Sequence, residues 1–132
     1  MWPVTVLTEL ASLGIYADPT KNGVQLRWPD PRGSGQHFRV LRVRRNGEAR
    51  VSRIKYQLDH LGYDSSPALR YINTIAAWVP GTTVDSDGRI LGPNGALKDV
   101  RLRTLVADRR AEFIEALKRL PDDVRSTANA AP

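Results

Sequence analysis

The chain has 132 residues and 41% hydrophobic content, enough for one buried core and short for two domains. It contains no cysteine, which excludes disulfides, thiolate metal sites and cysteine nucleophiles. A net charge of +6 and a pI near 10.2 point to an anionic partner, either nucleic acid or an acidic peptide. No apolar run is long enough to span a bilayer and the N-terminus has no secretory pattern, so the expectation is a cytoplasmic protein with no membrane partner.

Pro3 suits a first helical position, and Val6, Leu7, Leu10 and Leu13 recur at helical spacing before Gly14, predicting a helix over residues 3–13. Ile15-Tyr16-Ala17 and Val24 to Trp28 flank the turn formers of residues 18–23, predicting two short strands joined by a loop. Pro29, Pro31, Gly33 and Gly35 then make a loop. Beyond the next segment, Ile54, Leu58 and Leu61 mark a helix stopped by Gly62. A better-marked helix follows, with Ser66 as its cap, Pro67 in its first turn, an apolar face from Leu69 to Val79, and Pro80-Gly81 at its end. Its aromatics, Tyr71 and Trp78, read as core or core edge. Arg89-Ile90-Leu91 is a short strand between two turns. From Lys98 to Leu120 the apolar spacing is helical, as one helix or as two with a break near Asp108, and Pro121 stops it.

Residues 38–55 hold the charge. Arg39, Arg42, Arg44, Arg45, Arg50, Arg53 and Lys55 stand there against one acid, Glu48, and this excess equals the net +6 of the whole protein. Asn46-Gly47 tolerates positive φ at both positions and predicts a two-residue type I′ hairpin. In that register Arg45 faces Glu48, Arg44 faces Ala49, Val43 faces Arg50 and Arg42 faces Val51. Such a ribbon either holds an anionic partner or is a solvated edge strand whose charges block unwanted pairing.

Nothing in the sequence assembles into a catalytic centre, and no metal or cofactor is expected. His37 and His60 lack partners at metal-ligand spacing. Asp85-x-Asp87-Gly88 opens like a calcium loop, but Arg89 and Leu91 stand where oxygen donors belong. Asp30 with Glu48-x-Arg50 is a poor nuclease set, because arginine supplies no titrating base. Gly-rich phosphate cradles and nucleophile elbows are absent.

TVLTELASLGIYA, the strand NGVQLRW followed by Pro31 and Gly33, and the late GRILGPNGALKDVRLRTLVADRRAEFIEAL resemble the TubC-like N-terminal docking domain of the tubulysin-synthetase type. Leu13-Gly14, Pro93-Asn94-Gly95 and Arg110-Ala111-Glu112-Phe113 stand at matching points. The resemblance covers residues 4–33 and 88–120, with a basic insertion of about residues 34–87 between them. It implies a non-catalytic, often dimeric domain whose exposed hairpin receives an acidic segment of a partner protein.

The expectation is a single α+β domain over residues 1–121, of small β-hairpins packed with amphipathic helices, followed by a disordered tail over 122–132. The terminal helices should pack together, burying Leu7, Leu10, Leu13, Leu26, Ile72, Ile75, Leu102, Phe113 and Leu117. The function read first is nucleic-acid binding through the hairpin, DNA ahead of RNA. A helix-turn-helix over residues 54–79, presenting Arg70 and Asn73, would be a second route to DNA, but the long turn from Gly62 to Ser66 and the largely apolar second helix favour a structural helical pair. Docking of an acidic protein segment is the alternative. A small mobile-element protein that inhibits a host nucleic-acid machine is a third, and homodimerisation accompanies the docking reading.

Overall fold

Helix α1, Val4–Ser12, ends because Gly14 takes φ +79, a left-handed conformation that costs a residue without Cβ little. In this computed structural model, which describes the backbone of residues 4–130, four antiparallel strands follow: β1 (Tyr16–Thr20), β2 (Gly23–Pro29), β3 (His37–Arg44) and β4 (Glu48–Arg50). Next come α2 (Arg53–His60), α3 (Ser66–Ala76), β5 (Thr83–Val84), β6 (Ile90–Leu91) and β7 (Val100–Arg101). A π-helical turn over Thr104–Asp108 then leads into α4 (Arg110–Ala130). The architecture is α+β, with a five-stranded sheet in the order β1-β2-β3-β4-β7 and a separate β5-β6 pair.

The two expected hairpins are fused into one sheet by β2 and β3, which pair along most of their length. Residues 18–20, expected in a loop, extend β1, where Pro19 is tolerated because β1 is an edge strand with no ladder to supply on its outer side. The charged strand β3 is therefore not an edge strand: it lies in the middle of the sheet. Its sequence breaks the alternation expected of such a strand, since Val40 and Leu41 are adjacent and both fully buried. A β-bulge resolves the conflict. Leu26 pairs with Leu41 and Arg27 with Arg39, so Val40 has no partner on β2, and the inward phase is reset between Phe38 and Val43.

The β3–β4 turn differs from the expected type I′ form. Gly47 alone has positive φ, and its N–H donates to the Arg44 carbonyl at 3.0 Å, giving a three-residue connection over Arg45, Asn46 and Gly47. The register moves by one, to Val43 opposite Ala49 and Arg42 opposite Arg50. The type I′ register would pair Val43 with Arg50, mixing apolar and charged side chains on each face. The observed one sorts them.

Beyond the short β4, the free side of β3 is capped by helical side chains. Gln57 of α2 accepts from the Arg39 N–H at 2.7 Å and donates to the His37 carbonyl at 3.3 Å, while the Tyr71 hydroxyl of α3 donates to the Val40 carbonyl at 2.8 Å. Burial raises the Tyr71 pKa and keeps that hydroxyl a donor. Ser65, not the expected Ser66, is the N-cap of α3 and makes no side-chain cap bond, while the Asp64 carboxylate accepts from the Ser66 N–H at 2.9 Å. Strand β7, inside the stretch expected to be helical, extends the sheet beside β4. Helix α4 continues past Pro121, contrary to expectation, because Leu120 and Val124 on either side are both buried. Residues 122–130, expected to be disordered, are thus helical, while 131 and 132 lie outside the described residues.

One core unites the sheet and helices. Leu10, Leu26, Ile72, Ile75, Phe113 and Leu117 are buried as expected, Leu13 and Leu102 are half-buried, and the Leu7 side chain lies outside the described residues. Helices α1 and α4 are in contact. In the β2–β3 loop, the buried Asp30 carboxylate accepts from the Tyr63 hydroxyl and from the Arg32 N–H. Burial pushes Asp30 up, but hydrogen bonds from Ser34, Tyr63 and the loop backbone outweigh it and hold its pKa below the ordinary 3.8.

Two outcomes follow from this packing. A Cβ on Gly23 would lie 1.9 Å from the Val43 carbonyl oxygen, so Gly23→Ala forces β2 and β3 apart. Urea unfolding should show a loss of about 1–3 kcal/mol. At Gly92 a Cβ meets only ordinary contacts of 3.6 Å or more, and Gly92→Ala should stay within about 0.5 kcal/mol of wild type. Because Asp30 has a depressed pKa, its contribution is complete above the ordinary value and is lost as pH falls through the native one. Asp30→Asn should therefore cost about 1–3 kcal/mol at neutral pH, and the gap to wild type should close in urea midpoints taken down to about pH 2.5.

Candidate functional site

Alternation on either side of the bulge sends Arg39, Arg42 and Arg44 of β3 to the face opposite the core. Arg27 of β2 stands directly across from Arg39, and Arg50 of β4 directly across from Arg42. Like charges in such positions repel. One member of each pair is neutralised: Arg27 Nη1 lies 3.2 Å from Asp18 Oδ2, and Arg50 Nε lies 2.9 Å from Asp99 Oδ1. Arg44 has a looser contact with Glu48, 3.9 Å away. Arg39 and Arg42 have no carboxylate partner among the described residues.

Arg39 is the most constrained of these cations. Its side chain is half-buried, and its Nε is buried without a hydrogen-bond partner among the described residues. Burial, followed by repulsion from Arg42, Arg53 and Arg50, pushes its pKa down to about 10, which leaves it charged at neutral pH. A guanidinium carries its N–H donors in a planar fork that matches phosphate and carboxylate oxygens. Several of them converge here on one surface, and an anion would both neutralise the cluster and fill its unused donors.

Five of the seven basic residues singled out in the sequence belong to this group: Arg39, Arg42, Arg44, Arg50 and Arg53. Arg45 sits apart at the exposed turn, its N–H donating to the Asn22 carbonyl at 3.0 Å. Lys55 faces the β5–β6 turn and holds Asp59 at 2.5 Å, and that hydrogen bond raises its pKa. Two further arginines enter from outside the segment. Arg27 alternates with the buried Leu26 and Trp28, so its outward phase is legible, but its place beside Arg39 depends on the β2–β3 pairing. Arg101, opposite Glu48 on β7, donates to the Asn46 carbonyl at 3.2 Å.

The other candidate groups have structural partners. His37 Nδ1 lies 2.7 Å from the Tyr16 hydroxyl, and His60 stacks on Tyr56. Asp85 folds its own turn, accepting from the Asp87 and Arg89 N–H groups at 3.0 and 2.9 Å. The helix-turn-helix reading meets an obstacle. Arg70 pairs with Asp123 at 3.6 Å and Asn73 donates to the Leu69 carbonyl, and the groove of 860 Å³ beside them is walled by Glu112, Glu115 and Asp123 of α4. Helix α4, whose four acids and four basic residues balance and whose Arg119 also lines this groove, thus lies along the face that would have to meet DNA. Among the described residues no three His, Asp or Glu side chains are grouped to hold a metal ion, and no helix is long and apolar enough to cross a membrane.

Set against family models, curated proteins and solved structures, the chain finds no match in any of the three.

A half-buried, unpartnered cation among like charges opposes folding. Replacing it with an apolar residue of similar length should relieve that cost. Arg39→Met should raise the urea midpoint, a gain of about 0.5–2 kcal/mol at low ionic strength, and added sulfate or phosphate should stabilise wild type more than the variant. A variant less stable than wild type in every buffer would mean that Arg39 serves the fold.

Proposed function

We propose that this chain is a cytoplasmic, non-catalytic binding module that holds the phosphate backbone of a nucleic acid on the arginine face of its sheet, DNA ahead of RNA. The observation that carries the reading is Arg39, a guanidinium built into the middle strand with its Nε unsatisfied and three arginines pressing on it. Such an arrangement costs stability in the free protein, and an anionic partner offsets that cost. Nucleic acid suits it better than a single carboxylate, because Arg27, Arg39, Arg42, Arg44 and Arg50 extend across three strands and a polyphosphate meets them in series. The mode differs from a free ribbon in a major groove. Here β3 and β4 are flanked by β2 and β7, so the face of the sheet, rather than the tip of a hairpin, meets the backbone.

Fluorescence anisotropy with labelled DNA and RNA over a range of salt tests this. Log affinity should fall linearly with log salt, and Arg39→Ala with Arg42→Ala should each reduce the slope by about 0.9 on duplex DNA or about 0.7 on a single strand. Arg109→Ala, which removes the exposed Arg109–Glu112 pair at 3.6 Å, should leave the slope unchanged. If an acidic peptide binds in an Arg42-dependent way while neither nucleic acid shows salt-dependent binding, the module docks proteins instead.

A further inference from the structure

Helix α2 carries a surface feature that phosphate binding leaves unused. Tyr56 is 58% exposed, whereas the helix buries Ile54 and Leu58 completely. Its ring lies at 9° to the His60 imidazole with centroids 6.2 Å apart, and the Arg53 guanidinium sits 4.8 Å from the Tyr56 centroid. Spacings of three and four residues put these groups in line on one helix face. The result is a ladder of planar side chains presented to solvent. A hollow of 250 Å³ beside it is lined by Gln36, Phe38, Arg53, Tyr56, Gln57 and His60, with Leu61 at its edge. This hollow adjoins the arginine face at two points: Gln57 accepts from the Arg39 N–H at 2.7 Å, and Arg53 is among the cations acting on Arg39.

We propose that the Arg53–Tyr56–His60 ladder stacks an unpaired base, so that the strand held by the arginine face is single-stranded. This rests on the nucleic-acid reading above and makes it more specific. Every base has a π face, and aromatic and guanidinium planes bind it without regard to sequence. In a duplex that face is covered by neighbouring pairs, whereas an unpaired base can be splayed out onto a protein platform. Charge complementarity places the strand: Arg53 lines the hollow and, with Arg42, acts on Arg39, while the nearby acid of α2, Asp59, is already held by Lys55 at 2.5 Å. An acidic peptide would match the arginines but would not use the ladder.

Anisotropy on the full chain decides this with four labelled probes of equal length: oligodeoxyuridylate, oligouridylate, an abasic deoxyribose-phosphate oligomer and a DNA duplex. At least one base-bearing single strand should bind about tenfold more tightly than the abasic oligomer, and the tighter of the two identifies the sugar. Tyr56→Ala should abolish that preference with an unchanged salt slope, and Tyr56→Phe should retain it. Thermal melts matching wild type would establish that both variants are folded. Equal binding of base-bearing and abasic strands with a normal salt slope would overturn stacking and leave the arginine face standing, as would tighter binding of the duplex. Absence of salt-dependent binding by all four would overturn both.

Discussion

The structure depends on how one strand reconciles two incompatible demands. β3 lies in the middle of the sheet and must bury Phe38, Val40, Leu41 and Val43, yet Arg39, Arg42 and Arg44 alternate among them. A regular strand cannot do this, because adjacent Val40 and Leu41 would fall on opposite faces. The bulge at Val40 shifts the phase by one residue, keeping every apolar side chain inward and every arginine outward. The Val40 carbonyl at the bulge accepts from the Tyr71 hydroxyl of α3. Core packing and the charged face are therefore set by a single irregularity.

Charge segregation has a consequence for energy. Concentrating arginines on neighbouring strands creates the directly opposed pairs Arg27–Arg39 and Arg42–Arg50, and the protein supplies an acid to only one member of each, Asp18 and Asp99. Several other acids are engaged elsewhere, as with Asp59 on Lys55, Asp85 on Arg89 and Asp123 on Arg70. Arg39 is left half-buried with an unsatisfied donor.

Helix α2 connects the pieces of this surface. Ile54 and Leu58 fix the helix in the core, Gln57 binds the backbone of β3, and Arg53, Tyr56 and His60 remain on its outer side. The side chain that positions the helix against Arg39 is thus a direct neighbour in sequence of the exposed aromatic. Placing a planar ladder beside a cationic face needs only this one short element.

Much of this was written locally in the sequence. Apolar spacing located α1, α2 and α3, and counting charges isolated residues 38–55, because each property depends on neighbours within a few positions. The hairpin register could also have been read, since only a three-residue connection places Val43 opposite Ala49. Long-range pairing could not. That β2 lies beside β3, bringing Arg27 to Arg39, and that β7 returns to cover β4 follow from which apolar faces fit together in one core. The same packing carries α4 through Pro121, against a strong local stop, because Leu120 and Val124 are buried together. Sequence by itself determined the amount of positive charge and where along the chain it lies. The tertiary structure decided which arginines lack an acid, because that depends on carboxylates brought from distant segments, as Asp99 is to Arg50.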